Sequence, residues 1–222
     1  MVPRMKPKRP LSAPSAFVSD VHGNLPALEA VLAELAQRAV GHLYVAGDLL
    51  LGGDQPLEVW RRLTHMGAVC VLGTSDLALC RVDERELHPV DIDGQTRVAQ
   101  FIATRKALGE PALLQLSRLP QELRMPLLDG TELLLVHGSP ADPLTCLSHD
   151  MEDDEMEALL ASDGANIVVC GGTHVPFRRR VDDIEVVNVG SVGEAPEGNC
   201  AHFTVITPKA NGTQIEQAWV NY

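Results

Sequence analysis

Short apolar runs alternate with amphipathic stretches along the chain, and this alternation predicts its elements. Ala16–Ser19 is an apolar run with the length of a buried strand, and it stops at Asp20. Beyond the loop Val21-His22-Gly23-Asn24, the residues Leu25, Leu28, Val31, Leu32 and Leu35 recur at helical spacing. Asn24 suits the N-cap, Pro26 the first turn and Gly41 the exit. His42–Ala46 reads as a second strand and ends at Gly47-Asp48. Gly52-Gly53 interrupts the chain, Pro56–Met66 is amphipathic, and Ala68–Leu72 reads as a third strand ending at Gly73-Thr74-Ser75-Asp76. Three strand–loop–helix units in succession predict a mostly parallel, buried sheet with helices on its faces.

The later pattern differs. Leu77–Leu119 is polar and helical, enough for two or three helices. Glu122–Leu127 and Thr131–Val136 flank Asp129-Gly130 as a hairpin, and its second strand ends at His137-Gly138. Asp153–Ala161 predicts a short helix, and Ile167–Cys170 a strand ending in Gly171-Gly172-Thr173-His174. Phe177–Val181 and Ile184–Val187 form a second hairpin around Asp182-Asp183, and Ala201–Ile206 and Gln214–Val220 are closing strands. The expected architecture is α/β, a two-sheet β-sandwich flanked by helices, with residues 15–222 as one domain.

Charge and composition narrow the function. The net charge is −12 over 222 residues. Residues 1–14 are rich in Pro and bases, carry Arg4, Lys6, Lys8 and Arg9, and lack the apolar segment of a signal peptide, so they read as a disordered basic tail. The remainder is more acidic still and repels a phosphate backbone, which disfavours long nucleic acids as partners. No apolar run approaches the ~18 residues of a membrane span, so no membrane partner is expected. The cysteines, Cys70, Cys80, Cys146, Cys170 and Cys200, are odd in number and form no CxxC pair, which fits reduced thiols in a cytoplasmic protein.

The candidate chemistry lies where the strands stop. Asp20, His22, Asp48, His137 and His174 each follow an apolar run and stand close to glycine. In sheets of this kind, functional loops gather beyond the carboxyl ends of the strands. Two carboxylates and three imidazoles meeting at one edge suit a divalent metal such as Mn, Fe, Ni or Zn. Asp48 has two oxygens and could bridge a pair of metals. Metals ~3.5–4 Å apart stabilise the attacking and leaving oxygens of a phosphoryl displacement. A dinucleotide-binding α/β enzyme is the remote reading, since no G-x-G-x-x-G follows the first strand.

In order, the chain carries Asp20-x-His22-Gly23-Asn24, Gly47-Asp48, Gly73-Thr74-Ser75-Asp76, His137-Gly138, Gly172-Thr173-His174 and Asn188-Val189-Gly190-Ser191-Val192. This set resembles the calcineurin-like metallophosphoesterases, in particular their small phosphodiesterase-type branch, from about Phe17 to Val192. The resemblance implies that Asp20, His22 and His174 bind a first metal, Asp48 bridges and His137 binds a second. It also implies hydrolysis of a small phosphorylated substrate by metal-activated water. Asp48, Thr74 and Ser75 would then be catalytic, with Asn24, Thr74 and Gly172 at the substrate.

The sequence departs from the family's pattern at three site positions. Thr74 stands where the family has an Asn ligand, Ser75 where it has a His that often donates a proton, and Gly172 where it has a His ligand. Glu194, Ala195, Pro196 and Glu197 occupy the stretch where the branch often places an Arg. The losses fall on the second-metal set, which predicts one tight and one weak metal site, with Asp142 or His149 as substitutes that could swing in. Without the histidine at position 75, phosphodiesters and activated esters are favoured over phosphomonoesters with poor leaving groups. The alternative is a catalytically impaired protein that binds a metal or a phosphorylated ligand in a regulatory role.

Overall fold

The computed structural model describes residues 10–160 and 164–222. In chain order the elements are β1 (Ser15–Val18), α1 (Leu25–Gln37), β2 (His42–Val45), α2 (Pro56–Met66), β3 (Val69–Cys70), α3 (Thr74–Arg81), α4 (Ile92–Leu116), β4 (Glu122–Pro126), β5 (Glu132–Val136), α5 (Asp153–Leu160), β6 (Ile167–Cys170), β7 (Phe177–Val181), β8 (Ile184–Asn188), β9 (Cys200–Thr207) and β10 (Gln214–Asn221).

They form two mixed five-stranded sheets, ordered β10-β9-β1-β2-β3 and β4-β5-β6-β8-β7. β1, β2 and β3 run parallel, as the βα repeats predict, but β9 and β10 extend that sheet in antiparallel fashion. In the second sheet β5, β6 and β8 are parallel, and the hairpin partners β4 and β7 form its antiparallel edges. β1 and β2 therefore end on one edge of the first sheet, and β5 and β6 on one edge of the second.

Period-two alternation decides which core each residue enters. Ala16 and Val18 of β1 face the helices α1 to α4, whereas Phe17 points between the sheets. Likewise Leu133 and Leu135 of β5 join Val169, Val187 and Ile206 inside the sandwich, while Leu134 and Val136 pack with Met156 and Leu160 of α5. The result is helices, sheet, sheet, helix, with β1 and β5 buried on both faces. Trp60 is buried with the α1–α2 core.

Some boundaries shift from the sequence expectation. α1 ends at Gln37 rather than at Gly41, because Ala39 takes the left-handed turn (φ 55°) and the Val40 N–H closes on the Leu35 carbonyl. α4 is broken at Gly109 (φ 68°), two residues before Pro111, so the middle segment holds more than one helical piece. Residues 1–9 of the expected tail lie outside the described residues. Leu11, later in that tail, bridges to Leu127. No helix among the described residues is long and apolar enough to cross a membrane.

Candidate metal centre

The backbone turns sharply at four of the five candidate residues. Asp20, His22, Asp48 and His174 all adopt left-handed conformations, with φ of 55°, 49°, 53° and 63°. Non-glycine residues rarely sit there, and each costs on the order of 1–3 kcal/mol unless its surroundings hold it. Four of the five residues singled out from sequence share this strain, which marks the strand ends as built for placing side chains.

Their side chains meet. The Nε2 atoms of His22 and His174 are 3.2 Å apart. Asp20 Oδ1 lies 3.3 Å from His174 Nε2 and 3.7 Å from His22 Nε2. Asp48 Oδ2 lies 3.5 Å from His137 Nε2. Two groups of donor atoms result, each within 4.8 Å: Asp20, His22 and His174, and Asp20, Asp48 and His137. Asp20 is thus common to both groups. Asp48, expected as the bridge, belongs to the second, and its Oδ1 accepts from the Ser75 N–H at 2.8 Å.

The donor chemistry fits a cation. His22 Nδ1 is 2.6 Å from the Leu51 carbonyl, His137 Nδ1 is 2.7 Å from that of Ala46, and His174 Nδ1 is 3.1 Å from that of Glu194. A carbonyl only accepts, so each Nδ1 carries a hydrogen, and each ring in its neutral form turns an Nε2 lone pair inward. Asp20 Oδ1 is fully buried and has no hydrogen-bond partner. Acceptors converging without a donor are costly unless a positive charge lies among them. These residues could therefore hold a divalent metal.

The electrostatics point the same way. Burial alone would raise the Asp20 carboxyl, but His174, His22 and His137 outweigh it and hold the group well below the usual carboxylate range. Burial opposes charge on His22, yet Asp20 and Glu194 raise the ring to about 9. Asp20 likewise raises His174, against its partial burial. The cluster is a negative well that stabilises cationic partners.

Several supporting residues were not singled out for such a role from sequence. The Asn188 amide donates to the Gly171 carbonyl at 2.9 Å and to Thr173 Oγ1 at 3.0 Å, and its oxygen accepts from the Gly190 N–H. It thereby pins the loop that carries His174. Ser191 donates to the Asp20 carbonyl at 2.9 Å and accepts from the Glu194 N–H. Asp76, fully buried, accepts from the N–H groups of Leu49 and Gly73 and fastens the Asp48 loop to the start of α3. Burial and the neighbouring Asp48 raise its carboxyl to about 7, against those two N–H groups.

The remaining predicted residues have mixed placements. Asn24 caps α1 through the Ala27 N–H, and its amide donates to the Gly193 carbonyl and to Tyr222, so its side chain is spent on fastening loops. Thr74 is exposed at the start of α3, whereas Ser75 Oγ is buried without a partner. Gly172 (φ 79°) donates its N–H to Asp20 Oδ2 at 2.9 Å. A Cβ added to Gly172 would collide with Cys146 Sγ and lie 3.3 Å from His137 Nε2. Asp142 does not reach the cluster, because Leu144 N–H and Thr145 Oγ1 hold it in a turn. His149 is exposed. Glu194 does approach, with Oε2 3.8 Å from His22 Nε2.

Comparison with known proteins agrees with this fold. Residues 15–211 match the calcineurin-like phosphoesterase superfamily domain. The chain is 27% identical over 201 residues to phosphodiesterase YfcE of Escherichia coli K12, spanning 86% of this chain and 85% of YfcE. Among solved structures, hypothetical protein PH1004 from Pyrococcus horikoshii OT3 aligns with a TM-score of 0.76 at 22% identity, covering 94% of this chain and 88% of that one. A metallophosphoesterase from Sphaerobacter thermophilus aligns with a TM-score of 0.72 at 24% identity, covering 94% and 89%. With its ordered strand-end motifs on two mixed five-stranded sheets, this chain belongs to the calcineurin-like phosphoesterase superfamily.

Proposed function

We propose that this chain is a metal-dependent hydrolase of a small phosphodiester, or of another phosphoester with a good leaving group, acting in the cytoplasm. The observation that carries the reading is the meeting of the His22 and His174 Nε2 atoms at the buried, unpartnered Asp20 Oδ1, beside a second donor group in which Asp20 joins Asp48 and His137. Asp20, His22 and His174, with Asp48 nearby, would hold the tighter cation. Asp48 and His137, sharing Asp20, would hold the weaker one. Mn, Fe, Ni and Zn all suit such mixed nitrogen and oxygen donors. The chemistry a bound cation supplies is Lewis-acidic: it makes hydroxide available near neutral pH and offsets phosphoryl charge.

The chain's own residues do the rest. The left-handed turns aim the ligands, and the carbonyls of Leu51, Ala46 and Glu194 fix the imidazole tautomers. Thr74, exposed at the first turn of α3, offers a hydroxyl to an entering phosphoryl oxygen. Gly172 holds Asp20 through its N–H, and Asn24 acts on the substrate only through the loops it fastens. Ser75 provides no strong proton donor, so leaving groups that depart unaided are preferred.

The test is turnover of an aryl phosphodiester with Mn, Fe, Ni or Zn, beside an alkyl phosphomonoester, in the full chain and in Asp48→Ala. Metal-dependent cleavage of the diester that Asp48→Ala abolishes is the expected result. Cation binding without turnover of either ester would overturn the reading and favour the regulatory alternative, which rests on Thr74, Ser75 and Gly172.

A further inference from the structure

The family's pattern has a histidine where this chain has Gly172, and the structure shows what fills that space. Cys146 Sγ occupies the volume into which a side chain at 172 would grow, on the side where His137 Nε2 also lies. The thiol is delivered there by a well-fixed loop. On one side Asp142 organises a turn through Leu144 N–H, Thr145 N–H and Thr145 Oγ1. On the other, Leu147 is fully buried, and its carbonyl accepts from Asn188, the residue that also pins the Gly171–Thr173 loop. The loop bearing the sulfur and the loop lacking the imidazole are thus fastened to one amide.

A cysteine alone defines no site, but an independent observation points to a ligand here. Asp20, Asp48 and His137 are all buried and bring three ligand atoms within 4.8 Å of one another, while the unpartnered Asp20 Oδ1 lies toward His22 and His174. We propose that Cys146 replaces the missing histidine as a ligand, so that Asp20, Asp48, His137 and Cys146 form a second cation site selective for thiophilic metals. This deepens the metal-centre reading and rests on it. The sulfur stands outside the tight Asp20–Asp48–His137 group, and joining a bound cation there would call for rotation about its single Cα–Cβ bond. Binding converts the thiol to a thiolate, and the proton leaves to solvent. Thiolate favours Zn and Fe over Mn, so this second site should discriminate between metals more sharply than the first.

Cobalt(II) titration of the full chain tests this, because thiolate ligation gives an intense near-ultraviolet charge-transfer band that nitrogen and oxygen ligands lack. Two equivalents are expected, the second producing the sulfur band. In Cys146→Ser the band should vanish and the second equivalent weaken by more than about tenfold, given that even outer partners of metal ligands are worth that much. Retention of the first equivalent shows that the variant is folded. Zinc should also protect Cys146 from iodoacetamide in the wild-type chain, read by peptide mapping. Cobalt bound without a sulfur band, or a band that survives Cys146→Ser, overturns the thiolate assignment and leaves the metal-centre reading standing. No cobalt bound at all overturns both.

Discussion

His22 and His174 are 152 positions apart in the chain, yet their Nε2 atoms lie 3.2 Å from each other. Each ring turns its Nδ1 to a backbone carbonyl, so in the neutral rings the two facing nitrogens are both acceptors. Two lone pairs at that separation repel unless a proton or a metal stands with them. One residue is set by the loop after β1 and the other by the loop after β6, so the two sheets are brought into contact through this pair.

Removing one of the two should release the tighter cation. His174→Ala is expected to weaken metal retention by on the order of a hundredfold, as loss of a ligand exceeds loss of its outer partner. Elemental analysis after dialysis measures this. In the wild-type chain, free metal at about 100 times its dissociation constant should raise stability by ~2.7 kcal/mol, and chelation should reverse the gain in thermal melts.

Ser75 gives a test of leaving-group dependence. Its backbone N–H, not its side chain, holds Asp48, so Ser75→His preserves that contact while adding an imidazole. Turnover of an alkyl phosphomonoester should rise by roughly a hundredfold, the lower end of what general acid catalysis contributes. Aryl diester turnover should change far less.

Asn188 should matter for stability as well as for the site. Asn188→Ala strips the Gly190 N–H and the Gly171 carbonyl of their buried partner. A loss of ~3 kcal/mol is expected from groups left unsatisfied, measured by urea denaturation. Metal affinity should fall with it, because the His174 loop loses its anchor.

His202 predicts an acid-side instability. Burial lowers its pKa, an effect stronger than the opposing pull of Glu197, and Nδ1 accepts from the Ser191 N–H at 3.3 Å. The folded state therefore prefers the neutral ring. Stability is complete above the unfolded value near 6.5 and is lost as pH falls from there through the lower folded value. His202→Gln, which keeps an acceptor without a titrating proton, should flatten the stability curve below about pH 6.5 relative to wild type.

Much of the fold was legible because apolar runs stop abruptly at Asp20, Asp48, His137 and the Gly171–His174 turn, which locates both the strand ends and the candidate ligands. The α1 exit was not, since Ala39 does what Gly41 was expected to do and no side-chain rule selects it. The direction of β9 and β10 depends on which edge of the first sheet is free, a tertiary matter invisible to periodicity. The helical break was signalled by the Gly109-Glu110-Pro111 triplet, which can be read only as an interruption in a long polar stretch. Cys146 was read simply as one of five reduced thiols. Its proximity to Gly172 follows from the folding of two loops, and the only sequence hint is that a position expected to carry an imidazole is empty. Asn188 and Ser191 stood inside a visible motif, but their role as fasteners needs coordinates.

The division of the ligands between the sheets has a mechanical consequence. Asp20, His22 and Asp48 hang from one sheet, while His137 and His174 hang from the other. An ion seated among them would work as a rivet through the sandwich, so shear of one layer against its neighbour and escape of the ion would become a single event. Amide protons at the seam between the layers should then exchange in step with ion loss, a coupling that a centre built on one layer would not display.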